Sequence, residues 1–195
     1  MRPLTLLVLV LSLLAVSFLR SADPPAAAPD QAAVQEMMMK LAQPGPQHEQ
    51  FKGLVGEWTC IGRSYEQNPE EPLEWKGTAE FSLLLGGRYL QQDFRGEMPG
   101  FKFEGRGITG YDNAQQKYVG TWMDTMSTGI MSTAGEFDPA TNTMTEHAVS
   151  HTPAGEMKLV MTTIHKSDDA FLFTMSLDTP AGPHKMMEID YTRKK

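Results

Sequence analysis

Cysteine is almost missing from this chain: Cys60 is the only one in 195 residues. A single thiol cannot close an intrachain disulfide, so the fold rests on packing even in an oxidising compartment. Basic charge is also scarce, with 17 Lys and Arg against 24 Asp and Glu and a formal net charge of −7. Nucleic acid and anionic lipid both require a basic surface, and this balance argues against either as a partner. Catalytic signatures are missing as well. There is no Gly-x-Ser-x-Gly elbow, no His-Glu-x-x-His, no phosphate-binding glycine loop and no Cys/His cluster. No catalytic residue, metal or resident cofactor is therefore assigned, and the reading leans away from an enzyme. Cys60 reads as a buried structural thiol.

The long apolar run that does exist stands at the start. In MRPLTLLVLVLSLLAVSFLRSA, Arg2 precedes an apolar stretch from Leu4 to Leu19, and small residues and prolines follow. Residues 1–22 read as a secretory signal peptide, with cleavage after Ser21, Ala22 or as late as Ala28. An uncleaved anchor is the alternative. Without Arg2 and Arg20, 15 basic residues remain against 24 acidic ones, a net of −9. The remaining length suits one domain with a sizeable core, periplasmic or extracellular and with no membrane contact after leader removal. Residues 23–43 read as a flexible Pro/Ala-rich tether and a short helix. Val34, Met37, Met38 and Leu41 recur at helical spacing before the Pro44-Gly45-Pro46 breaker.

From Trp58 onward the pattern changes to short alternating runs separated by turn signals. In LEWKGTAEFSLLL, Trp75, Ala79, Phe81 and Leu83 share one face, and Glu74, Lys76, Thr78 and Glu80 take the other. Gly86-Gly87, Asp112-Asn113, DPATNT, TPAGE, KSDD and TPAGP punctuate the rest. About ten strands joined by short turns predict an all-β fold: a closed antiparallel up-and-down β-barrel over residues 44–195, with a short N-terminal helix. A two-sheet sandwich is the alternative. Gly77, Gly105, Gly107 and Gly120 lie inside strands, where barrel closure demands sharp bends.

The stretch GLVGEWTC places Gly56 two residues before Trp58 at the start of the first strand. An inward Trp58 plugs a barrel base, and Gly56 leaves room for the chain beneath it. In a closed meander the last strand neighbours the first, which sets Arg193 over Trp58 as a cation–π pair. A Gly-x-Trp start with a closing arginine resembles the calycin barrels: lipocalins, fatty-acid-binding proteins and nitrobindins. GPQHEQFKGLVGEW, LLLGGRYL, FEGRGITGYDNAQQKYVGTWMDTMSTG and the terminal MEIDYTRK together resemble the bacterial family catalogued as domain of unknown function 1579. The resemblance runs over about residues 44–194 and implies a calycin-like barrel in secreted or envelope proteins. It implies no established reaction.

Candidate site residues follow from the strand alternation. Tyr118, Gly120, Trp122 and Asp124 share one strand face. Turned inward, this face puts a carboxylate beside two aromatic rings, with Arg88 or Arg95 as partner, to orient the polar end of a ligand. Met131 and Met161 extend the wall; ten methionines fall within the barrel region, and their thioethers adapt to varied apolar shapes. They also suit Cu(I), although plain core packing accounts for them. His165 alternates with Leu159, Met161 and Thr163 and is the one candidate for a haem ligand. His147 and His151 stand about 13 Å apart on one face, too far for a shared metal. The leading function is a barrel binding a small apolar or amphipathic molecule. An enzyme or haem protein using Asp124 or His165, and a fully packed scaffold, stay open beside it. Intact-mass analysis of exported protein is expected to show a chain without residues 1–22; material starting at Met1 would support the anchor.

Overall fold

The computed structural model describes residues 30–98 and 100–195; the expected leader and the tether up to residue 29 lie outside them. Helix α1 (Gln31–Leu41) and the short α2 (Pro46–Glu49), followed by a 3-10 turn over Gln50–Leu54, precede ten strands. The strands are β1 (Gly56–Ser64), β2 (Leu73–Leu84), β3 (Tyr89–Met98), β4 (Phe101–Asp112) and β5 (Lys117–Asp124). They continue as β6 (Met131–Asp138), β7 (Thr143–Thr152), β8 (Gly155–Ser167), β9 (Ala170–Leu177) and β10 (His184–Arg193). Each strand pairs with its neighbour in sequence, and β1 pairs with β10, so the sheet closes and no sandwich forms.

The turns use the expected chemistry. The Asp112 carboxylate accepts from the amides of Ala114 and Gln115, and that of Asp138 from the amide of Ala140. Alternation then sorts the side chains. From Trp58 the inward set runs through Ala79, Phe94, Gly105 and Asp124 by direct cross-strand register.

Some inward glycines also make room for rings. A Cβ on Gly62 would lie 2.1 Å from the Trp75 indole, and one on Gly105 would lie 2.3 Å from the Trp122 indole. Both rings lie flat on bare backbone of the neighbouring strand.

One end of the barrel is plugged. Trp58 is 1% exposed, and its indole N–H donates to the Leu54 carbonyl at 2.9 Å. Phe171 and Phe81 meet its ring edge-on at centroid distances of 4.8 and 6.3 Å. The guanidinium of Arg193 lies 4.3 Å from the centroid of the same indole. It also donates to the carbonyls of Gly53, Val55 and Asp168 and pairs with Asp169 at 3.0 Å. Gly56 has φ +123°, and a Cβ there would meet Arg193 Nη1 at 3.3 Å. That glycine serves a backbone conformation denied to other residues and the seat of Arg193.

The seam between β1 and β10 is reinforced outside. Arg63 bonds Glu188 at 2.7 Å and Asp190 at 2.9 Å, while Lys185 and Tyr65 also reach Glu188 and Lys166 reaches Asp190. Burial pushes the Glu188 carboxyl up, but the bonds from Lys185, Tyr65 and Arg63 outweigh it and hold the group below the usual range. Lys166 chiefly does the same for Asp190.

Trp58→Ala is expected to cost about 3–5 kcal/mol in urea denaturation. The carbonyl bonds of Arg193 survive without the indole, so only about 0.5–2 kcal/mol of the Arg193→Ala cost should vanish in the Trp58→Ala background. Strict additivity would remove the cation–π contact, and complete loss of the Arg193 cost would remove the role of the carbonyl bonds.

Candidate functional site

The interior is packed most densely on the side of β1–β3 and β10. Inward side chains of β1–β3 and β10, among them Trp75, Phe81, Phe94, Ile189 and Tyr191, are buried. On β4–β9, Tyr118, Ala148, Leu159, Met161 and Phe171 are buried as well, but inward Phe103, Trp122, Met131, Thr133, Phe173 and Met175 keep some accessible surface. Eight strands already enclose about as much space as side chains fill, so a ring of ten leaves more.

Tyr118, Trp122 and Asp124 face inward, but they do not share one pocket. Tyr118 belongs to the plug: its hydroxyl donates to Gln50 Oε1 at 2.9 Å, and its ring meets Phe51 and Tyr111 edge-on. Burial first, and Tyr111 second, push its phenol up to about 12. Trp122 lies four residues on, about 13 Å along the strand. Its indole N–H donates to Asp124 Oδ2 at 2.8 Å, and its ring stacks on Phe103 at 6.5 Å and 15°. Asp124 Oδ1 accepts from the Met126 amide at 2.8 Å.

No arginine joins Asp124. Arg88 sits in the turn before β3, where its guanidinium donates to the carbonyls of Ala42 and Leu85 and ties down the segment after α1. The expected Asp124–Arg88 pair does not form, because the docked N-terminal segment takes that guanidinium at the closed end. Arg95 stands opposite Thr78 and Glu104, on the outer face.

Met131 and Met161 do line the interior: Met161 is buried with Ala148 and Leu159, and Met131 packs against that cluster. Met161, Met175 and Met187 face one another across three adjacent strands. His165 points inward between the rings of Phe137 and Phe171, at 6.1 and 5.8 Å. Burial holds its pKa below the ordinary histidine value. Phe171 in turn stacks on Tyr191 at 4.2 Å, and this crowding at the closed end is poor ground for a porphyrin.

Cys60 is 1% exposed and its thiol is pushed up to about 12 by burial, which leaves it inert as a nucleophile. His147 and His151 point outward along a shallow groove of about 530 Å³ on the outer wall, and His151 pairs with Glu156 at 3.7 Å. Among the described residues, no three His, Cys, Asp or Glu side chains gather as a metal site requires.

The alternating pattern held one further lumen residue, Glu146. It stands on β7 opposite Gly135 and Met161, so it faces inward. Its Oε1 accepts from the Thr133 hydroxyl at 2.8 Å, the one hydrogen bond its side chain makes among the described residues. The residue is only half-exposed, and its carboxyl lies deep in the barrel. Burial raises its pKa against the smaller pull of Thr133. The signal was readable: in MTEHAVS, Glu146 occupies the same face as Met144 and Ala148.

A closed ten-stranded meander plugged at one end is a calycin-like barrel. The chain belongs to the family of proteins of unknown function DUF1579, whose model matches residues 43–193. Among solved structures it is similar to Rv2717c from M. tuberculosis, with a TM-score of 0.55 and 10% identity over 78% of this chain and 100% of that one. It is also similar to the S-type phycobiliprotein lyase CPES from Guillardia theta, with a TM-score of 0.51 and 10% identity over 76% and 93% of the two chains. At such identity the likeness is one of fold alone. No curated protein matches the sequence.

A carboxyl with a raised pKa destabilises the native state as pH rises from its unfolded value, near 4.5, through its folded value. Glu146→Gln keeps the shape and an acceptor for Thr133 without the charge. It is expected to raise Tm by a few degrees at neutral pH, with the gain disappearing below the ordinary carboxylate range. A variant that melts lower at neutral pH would show that the ionised carboxylate is instead paired.

Proposed function

We propose that this protein is an exported binding protein that holds a small apolar or amphipathic molecule in the half of its lumen lined by β4–β9. The observation that carries the reading is a set of large inward side chains, Phe103, Trp122, Met131, Phe173 and Met175, that stay only half-buried while Tyr118, Leu159 and Met161 beside them are buried. A protein interior normally packs to crystal-like density, so a wall left uncovered in a closed barrel calls for an occupant. That wall is apolar and deformable, with Met131, Met161 and Met175 beside Phe103, Trp122 and Phe173. Export rests on the leader-like sequence of residues 1–22.

Two features weigh against the enzyme reading. Both oxygens of Asp124 are engaged, by the Trp122 indole and by the Met126 amide. Cys60 is too buried to attack a substrate. The half-buried inward rings and thioethers of β4–β9 weigh against the packed scaffold. Rv2717c and the phycobiliprotein lyase lend shape and not ligands.

The test is titration of the mature chain with uncharged amphiphiles, a long-chain alcohol and a quinone, followed by tryptophan emission and native mass spectrometry. A one-to-one complex with an emission change that is lost in Trp122→Phe is expected. Unchanged emission together with no complex would favour the scaffold.

A further inference from the structure

The charge pattern of the lumen narrows the class of ligand, on the reading that the lumen binds one. No lysine or arginine sits on the inward face of the ten strands except Arg193, which is occupied beside Trp58 at the plugged end. Every other strand cation falls on the outward parity. Arg63 stands opposite Glu74 and Glu188, Arg95 opposite Thr78, Arg106 opposite Asp93, and Lys158 opposite Val149. Two carboxyl groups do face inward: Asp124 toward the open end, and Glu146 deeper against Met161.

The two differ in what they have left to offer. Asp124 is satisfied by Trp122 and Met126. Glu146 accepts only from Thr133 through Oε1, and its Oε2 is without a hydrogen-bond partner among the described residues. A hydroxyl lies on either side of it: Thr133 is bonded to it, and Thr163 stands opposite Met144, the inward residue two places before Glu146. Phe173 faces Thr163 on the next strand. A carboxylate, two hydroxyls, a thioether and an aromatic ring in one apolar wall form a seat for an ammonium group, which has three donors and no acceptor. A carboxylate or phosphate placed there would meet a like charge with no cation to offset it. The acidic chain as a whole also raises the local concentration of cations over anions.

We infer that Glu146 anchors the protonated amine of a cationic amphiphile whose apolar tail lies along the Met and aromatic wall of β4–β9. The inference depends on the lumen-binding reading and adds the sign of the head group to it. Its chemistry is the reverse of a fatty-acid site, which would place an inward cation where this barrel has none.

Three probes of one chain length separate the outcomes: dodecylamine, dodecanol and dodecanoate, each titrated below its micelle threshold into the full mature chain at neutral pH. The amine is expected to bind on the order of tenfold more tightly than the alcohol, as a bond to a charged group implies, and dodecanoate should bind weakest. Glu146→Gln should remove most of the amine's advantage. Glu136→Gln, which neutralises an outward and exposed carboxylate, should leave the ranking intact. Dodecanoate binding as tightly as dodecylamine would overturn the inference while sparing the lumen reading. So would a preference abolished by Asp124→Asn and not by Glu146→Gln, or shifted equally by Glu136→Gln. If none of the three binds, the lumen reading falls and takes the inference with it. Should Glu146→Gln fail to fold, the ranking on the unaltered chain still decides.

Discussion

Closure of β1 against β10 is the constraint on which the rest of this structure depends. Seven residue pairs from Trp58–Arg193 to Ser64–Met187 join the two ends of the meander, and no open edge is left. Closing ten strands sets a circumference, and the circumference sets a cross-section wider than inward side chains alone can fill. The protein meets that surplus unevenly. Aromatic side chains converge between β2–β3 and β9–β10, where Phe81, Phe94, Phe171 and Tyr191 interlock at 4.2 to 6.5 Å. On the other side the largest ring, Trp122, lies flat against Gly105 and Gly107 and thickens the wall without crossing the lumen. Larger side chains at those two glycines would lift the indole off the strand. The glycines thus set how closely the indole lies against the strand.

The same closure divides the barrel into an end that stabilises and an end that is available. At the plugged end, Arg193 joins the last strand to the first-strand indole, to the 3-10 turn before β1 and to the β8–β9 turn. Lysine could supply the charge there but not the planar fork that serves several carbonyls at once. Local stability is concentrated in these contacts, which leaves the opposite end free to carry groups chosen for something other than packing.

Much of this architecture is legible in the sequence because the signals are local. Period-two alternation and Gly, Pro, Asn and Asp punctuation mark ten strands, and a closed meander makes Trp58 and Arg193 neighbours by topology alone. Levels along the barrel are harder to read. Tyr118 and Asp124 share a face by parity, yet they belong to the plug and to the open end, because only the register of all the strands sets height. The partner of Arg88 is harder still, since it depends on where the segment after α1 docks. Glu146 lay in plain alternation with Met144 and Ala148 but is obscured by the habit of placing glutamate outside. A charged residue on the apolar parity of a strand is the stronger clue of the two.

That clue gains weight from how the chain treats its other carboxylates. Glu188 has Lys185, Tyr65 and Arg63; Asp190 has Lys166 and Arg63; Asp93 has Arg106 and Gln91. Each of the three is held below its ordinary pKa, so each adds stability at neutral pH that is lost as pH falls through the depressed value. Glu146 has one hydroxyl and a raised pKa, and it works against the fold over the range where the others support it. Glutamine would fill the same space and keep the Thr133 bond without that penalty. A residue that costs stability where a near-isostere would not is what a binding site produces, because the missing partner belongs to the ligand. The contrast between these well-paired outer carboxylates and one interior carboxyl held by a single hydroxyl therefore points to the lumen as the place where this barrel meets its occupant.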